Sequence, residues 1–166
     1  MKRETEFTII FILLELNFVR MIQSSSDQYM RAALVEAKKA FDKQEVPVGA
    51  VVVCKDMIIA RAHNLTETLK DPTAHAEMQA ITAATNWLGG KYLTDCTIYV
   101  TLEPCAMCAA ALGWSQVSRI IYGASDEKKG YSTISDSLLH PKTSVESGVL
   151  ETECREVLQK FFKTRR

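Results

Sequence analysis

Residues Val48 to Cys54 read VGAVVVC, a short and nearly unbroken β-branched run. A run of this kind forms a strand buried on both faces, so layers must cover the sheet above and below. The rest of the chain supplies those layers. Met30, Ala33, Leu34, Ala37 and Phe41 recur at helical spacing, with Arg31, Glu36, Lys38 and Lys39 off the stripe. Ser24, Ser25, Ser26 and Asp27 precede this helix as a polar break and N-cap. Met57 to Ala62 returns as a second strand after the Lys55-Asp56 turn. Leu65 to Thr73 is polar, carries Pro72 and reads as a loop. Ala74 to Leu88 is helical in composition and stops at Gly89-Gly90.

Thr97 to Thr101 is a third strand, broken at Glu103-Pro104. Cys105 to Trp114 is a helix, and Arg119 to Ala124 a fourth strand. Ser125 to Pro141 is a loop region with a short helix near Ile134 to Leu138. Ser144 to Leu150 is a weak fifth strand. Glu151 to Thr164 closes the chain as an amphipathic helix with Val157, Leu158, Phe161 and Phe162 inward. The expected fold is therefore α/β: a three-layer α/β/α sandwich around one mixed five-stranded sheet.

Length and charge narrow the options. The 166 residues suit one domain, and 47% are apolar, which is enough for such a core. Lys plus Arg equals Asp plus Glu at 20 each, so no global field draws in nucleic acid. RNA contact would come from local patches. Residues 1–26 form an N-terminal extension, and 27–166 the functional domain. The extension begins with Lys2 and Arg3 and an apolar run, Phe7 to Leu14. Glu4, Glu6 and Glu15 and the lack of a small-residue cleavage site argue against a signal peptide. The run is too short to cross a bilayer, which takes about 20 residues. It reads as translation from an upstream start, with Met21 or Met30 as the true one, or as an extra docked helix.

The five cysteines are irregularly spaced and odd in number, which argues against a disulfide framework and for a reducing, cytoplasmic setting. Cys54, Cys96 and Cys154 lie in apolar or helical stretches and read as small buried hydrophobes.

The other two cysteines carry chemistry. Cys105 and Cys108 are three apart in the first turn of a helix, on one face, where they can share a metal. A helix N-terminus favours thiolate. His75-Ala76-Glu77 opens another helix. Zinc takes imidazole nitrogen and thiolate sulfur in a tetrahedron, and three ligands leave one position open for a reactive water. His75, Cys105 and Cys108 are the expected metal ligands. Glu77 is the expected catalytic proton carrier, as a hydrolytic deamination requires. A C-x-x-C pair can also be a redox site or half of a structural zinc site, with Cys96, Cys54, Cys154, His63 or His140 completing it.

H-x-E followed by P-C-x-x-C is the signature of zinc nucleobase deaminases. From Asp27 to Arg166 the sequence resembles the bacterial tRNA-specific adenosine deaminases, of the cytidine-deaminase-like superfamily. The resemblance lies in VPVGAVVV (46–53), Asn64, DPTAHAEMQAI (71–81), YVTLEPCAMCAAAL (99–112), YGASDEKKG (122–130), LLHP (138–141) and FFKTRR (161–166). It implies a cytidine-deaminase-like fold, one zinc ion per subunit, a homodimer and no membrane association. The implied reaction converts adenosine to inosine at the wobble position of a tRNA anticodon, usually in an arginine tRNA. It also implies substrate contacts by Asn64, Ala76, Asp126 and Lys128. Apart from the resemblance, Asn64 reads equally well as a turn residue.

Lys129, with Asp126 and Lys128, follows a strand end and resembles family positions near the substrate strand. Lys163, Arg165 and Arg166 give the C-terminus local positive charge suited to phosphates, although cations also complement a helix C-terminus. The chain departs from many family members at Ser125, where they carry Arg, and at His140, where they carry two histidines before the proline. Two alternatives share the motif. One is a guanine or cytosine/cytidine deaminase acting on free bases or nucleosides. The other is a non-catalytic, zinc-stabilised RNA-binding subunit, against which Glu77 speaks.

Overall fold

The computed structural model describes residues 25–165. Readings that fall on residues 1–24 and on Arg166 lie outside it.

The described chain begins in helix α1, residues 25–42. Strands β1 (Gly49–Cys54) and β2 (Met57–His63) follow, then a single turn of helix α2 (Thr66–Leu69) and helix α3 (Ala76–Leu88). Strand β3 (Cys96–Leu102), helix α4 (Ala106–Trp114), strand β4 (Arg119–Ala124) and strand β5 (Ser144–Ser147) lead to helix α5 (Glu151–Lys163). Two 3₁₀ turns, Tyr131–Thr133 and Asp136–Leu138, lie between β4 and β5.

The five strands form one sheet in the order β2-β1-β3-β4-β5. β1 runs antiparallel to both β2 and β3, whereas β3, β4 and β5 run parallel. The sheet is mixed, as expected. Its two faces are covered separately. Ala50 and Val52 of β1 pack with Ile98 and Val100 of β3 on Ala80 and Ala84 of α3 and Leu112 of α4. Val51, Val53 and Tyr99 point the other way, onto Met30 and Ala33 of α1 and Cys154 of α5. Every residue of β1 is buried, which is what its β-branched run demanded.

Gly49 marks the closest approach of sheet and helix. A Cβ there would lie 2.1 Å from the Ala33 carbonyl oxygen and 2.3 Å from the Ala37 nitrogen, so α1 rests backbone to backbone on the start of β1.

Four local expectations need correction. Ser25 to Asp27 are helical, and Ser26 is buried with its hydroxyl on Tyr99; the break is absorbed into α1. The loop from Leu65 contains α2, a helix without an apolar stripe. β5 ends at Ser147, because Gly148 (φ 86) and Leu150 (φ 52) turn the chain through left-handed backbone into α5. Phe162 is half exposed and Cys154 takes the inward place, since the buried stripe of α5 runs through Cys154 and Phe161.

Candidate active site and metal centre

The site gathers where two helices begin. His75 is the N-cap of α3 and Cys105 the N-cap of α4, both with extended backbone. His75 and Cys105 thus stand one position outside the helices in which the sequence pattern includes them. Cys108 follows in the first turn of α4 and is fully buried. Neither cap accepts a side-chain bond from its helix, so the imidazole and the thiol are free to face one another.

The imidazole Nδ1 of His75 lies 3.7 Å from the Cys105 Sγ and 3.5 Å from the Cys108 Sγ. Zinc–sulfur bonds of about 2.3 Å and zinc–nitrogen bonds of about 2.0 Å at a tetrahedral angle place sulfur and nitrogen about 3.5 Å apart. Donor set and spacing therefore fit a tetrahedral metal of that size. The ligand atoms of these three residues all lie within 4.8 Å of one another, the one such group among the described residues.

The electrostatics follow from contact. A hydrogen bond with Cys108 pulls the Cys105 thiol down to about 4, and the bond to His75 adds to this while burial opposes it. Cys108 moves upward, because its neighbour holds the charge and because it is buried. The pair gives up one proton readily at the positive end of α4 and keeps the second. The bond to Cys105 also raises His75, against the effect of burial.

Glu77, in the first turn of α3, is 4% exposed. Burial pushes its carboxyl up to about 7, although its own backbone N–H and His75 pull the other way. A group poised near neutrality can both accept and release a proton.

A cavity of about 140 Å3 opens on this cluster, walled by Val46, Val48, Asn64, Ala76, Glu77 and Leu102 among others. Asn64, Ala76 and Glu77 thus line one cavity with His75 and Cys105. Asp126 and Lys128 do not line it. They lie along a neighbouring groove of about 470 Å3 between the end of β4 and α5, with Arg155, Phe162 and Lys163. Leu102 forms a wall of both. Arg165 is already engaged: its guanidinium donates to the Gln44 carbonyl and lies 4.4 Å from the Phe161 ring centroid.

Comparison with known proteins matches this arrangement. A MafB19-like deaminase family model matches residues 24–166. A tRNA-specific adenosine deaminase of Bacillus subtilis (strain 168) is 48% identical over 145 residues, covering 84% of this chain and 90% of that protein. The chain belongs to the tRNA-specific adenosine deaminase family. The family member from Aquifex aeolicus (strain VF5) is 46% identical over 142 residues, covering 82% of this chain and 93% of its own. A solved structure from a study of A-to-I editing by tRNA:A34 deaminases at the wobble position has a TM-score of 0.74. It is 42% identical and covers 79% of this chain and 99% of that one. A guanine deaminase from Bacillus subtilis is more distant in shape, with a TM-score of 0.57, 37% identity, and coverage of 59% of this chain and 63% of that one.

In this member of the tRNA-specific adenosine deaminases, three buried carboxylates are not legible in the sequence: Glu36, which reads as off the stripe of α1 but is 2% exposed against Lys39 and His63, Glu103 and Glu45. Glu103, taken as a strand breaker, accepts the backbone N–H groups of Asp126 (3.0 Å) and Ser132 (3.2 Å). It thereby fastens the loop after β4 beside Cys105. Gly130 leaves it room, since a Cβ there would lie 2.3 Å from the Glu103 carboxyl carbon. Glu45, between α1 and β1, is wholly buried. The available signal for Glu45 and Glu103 was an acid set against an apolar run and a proline at each place, Glu45-Val46-Pro47 and Leu102-Glu103-Pro104.

Proposed function

We propose that the chain hydrolyses adenosine to inosine at the wobble position of a tRNA anticodon. His75, Cys105 and Cys108 hold one zinc ion per subunit, and Glu77 moves the protons. The observation that carries this reading is a His/Cys/Cys group of zinc-compatible spacing beside the buried carboxyl of Glu77, opening on a cavity of about 140 Å3. Bound zinc supplies a Lewis acid that makes water acidic enough to act as a nucleophile near neutral pH. Glu77 then accepts a proton from the attacking water on its carboxylate. It passes that proton to the purine ring nitrogen. It then takes the proton of the hydroxyl newly bonded to the ring carbon and gives it to the amine, so that the carbonyl forms as the carbon–nitrogen bond breaks and ammonia leaves neutral. Asn64 and the backbone at Ala76 hold the base edge, and Leu102 and the β-layer keep bulk water out.

The adjoining groove supports RNA over a free base. Lys128 and Lys163 offer phosphate partners, Arg155 being paired with Glu151, and half-exposed Phe162 offers a face for stacking. An arginine tRNA anticodon arm is the proposed substrate, on the family resemblance alone. A homodimer is the proposed assembly. Trp114 is 84% exposed at the end of an otherwise apolar α4, an aromatic a second copy would cover. No helix among the described residues is long and apolar enough to cross a membrane.

The test uses purified protein, metal-stripped and then reloaded with zinc. It is incubated with a wobble-adenosine anticodon stem-loop, with guanine and with cytidine, and inosine and ammonia are measured. The expected result is inosine in the stem-loop, lost on stripping and restored by zinc, without turnover of the free compounds. Rapid guanine turnover with no inosine in the RNA would instead favour the free-base reading that the guanine deaminase likeness suggests.

A further inference from the structure

We propose that Glu45 is a positioning residue for Asn64, fixing the orientation in which that amide meets the substrate. The proposal rests on the reading of Asn64 as a substrate contact.

Glu45 is 0% exposed, and no cation pairs with it among the described residues. A carboxylate so placed is tolerable only where donors surround it. Both oxygens are used. Oε1 accepts the Thr68 N–H at 2.7 Å. Oε2 accepts the Glu67 N–H at 3.1 Å, the Thr66 hydroxyl at 3.3 Å and the Asn64 Nδ2 at 3.2 Å. These bonds hold the carboxyl below its ordinary range in spite of burial. The acid therefore stays an acceptor and nothing else.

That sets the amide of Asn64. An acceptor-only neighbour admits the nitrogen edge and rejects the oxygen. The second Nδ2 hydrogen goes to the Thr66 Oγ1 at 3.0 Å, while the Asn64 backbone N–H is held by the Val48 carbonyl at 3.0 Å. The amide cannot flip without leaving a buried group unpaired.

Glu45 also caps α2, whose own cap residue Leu65 supplies no side-chain bond. Stability of α2 does not explain a buried charge, because this four-residue turn buries none of its own residues. What the turn does is hold Thr66 at the cavity wall next to Asn64. Glu45 is delivered there by the end of α1. Gln44 takes left-handed backbone (φ 63), and the Glu45 N–H returns to the Ala40 carbonyl at 2.9 Å. Helix α1 thus reaches the substrate pocket through one carboxylate.

The experiment is a pair of double-mutant cycles on the zinc-loaded protein, read as kcat and KM on the wobble-adenosine stem-loop. Zinc content and melting temperature are recorded for every variant. Glu45→Gln keeps the shape but puts an amide donor among donors. Thr66→Ala removes the hydroxyl shared by Glu45 and Asn64 and decides the question where Glu45→Gln does not fold. Each is expected to lower kcat/KM at least fivefold, mainly through KM, with zinc retained. In an Asn64→Ala background, itself at least tenfold impaired, each is expected to change kcat/KM less than twofold. Losses that multiply in the doubles overturn the proposal and leave a structural cap. Single variants within twofold of wild type overturn it as well. Asn64→Ala within twofold of wild type removes the premise, an outcome distinct from the other two.

Discussion

Replacing Glu77 by Gln should make the protein inactive and, above neutral pH, more stable. The two effects have one origin. Glu77 is buried and its carboxyl is raised from an ordinary 4.5 to about 7. The folded chain therefore holds a proton that the unfolded chain has released between those values. Stability contributed by that proton is present below pH 4.5 and lost as pH climbs to 7. At 1.36 kcal/mol per pH unit the loss reaches about 3 kcal/mol. Gln does not titrate and so escapes it. In metal-stripped protein the variant should melt with the wild type near pH 4.5 and about 6–12 °C above it at pH 8, taking 2–4 °C per kcal/mol for a domain of this size. The zinc-loaded variant should lose roughly 10²–10⁴ in kcat on the stem-loop, the usual contribution of a proton carrier. Thermal melts at the two pH values, zinc analysis and inosine formation check this. A variant that melts below the wild type at pH 8 would refute the burial argument. A variant retaining a tenth of the activity would refute the role. Loss of zinc would make Glu77 a ligand instead.

Gly49→Ala should destabilise the chain by roughly 3 kcal/mol or more in urea unfolding, because neither backbone at that contact can withdraw. Trp114→Arg should turn a dimer into a monomer by sedimentation if the exposed end of α4 is the interface. Converting Lys128 and Lys163 to Ala should weaken RNA binding at low salt and flatten its salt dependence, by a slope of about 0.7 per lost phosphate contact.

The strands were legible because composition and environment coincide. Val51 to Val53 and Ile120-Ile121 have no reading other than a covered sheet. The grouping of His75, Cys105 and Cys108 was legible because each motif is local to a helix start. The misses share a cause, in that each depends on a partner far along the chain. Helix α2 has no stripe of its own and is held by a carboxylate about twenty residues upstream. Glu45 and Glu103 look like turn acids until the N–H groups of distant loops are brought to them. Phe162 looks as inward as Phe161, and only the packing of α5 on the sheet separates them. The sequence expects Asp126 and Lys128 beside Asn64 and Ala76 at the substrate, whereas they line the neighbouring groove and not the cavity, a distinction that only the folded loop after β4 makes.

That wall bears on which RNA the enzyme accepts. With Leu102 lining both groove and cavity, a strand bound as proposed in the groove would deliver a base to the cluster only by turning one nucleotide out of line with its neighbours. The distortion falls on the RNA, and its cost depends on how the nucleotide was held beforehand. The same adenosine, with the same flanking bases, should be deaminated faster in an open loop than in a paired stem, which inosine formation in matched oligonucleotides would check. Selection by flexibility then operates before any hydrogen bond to the base is made.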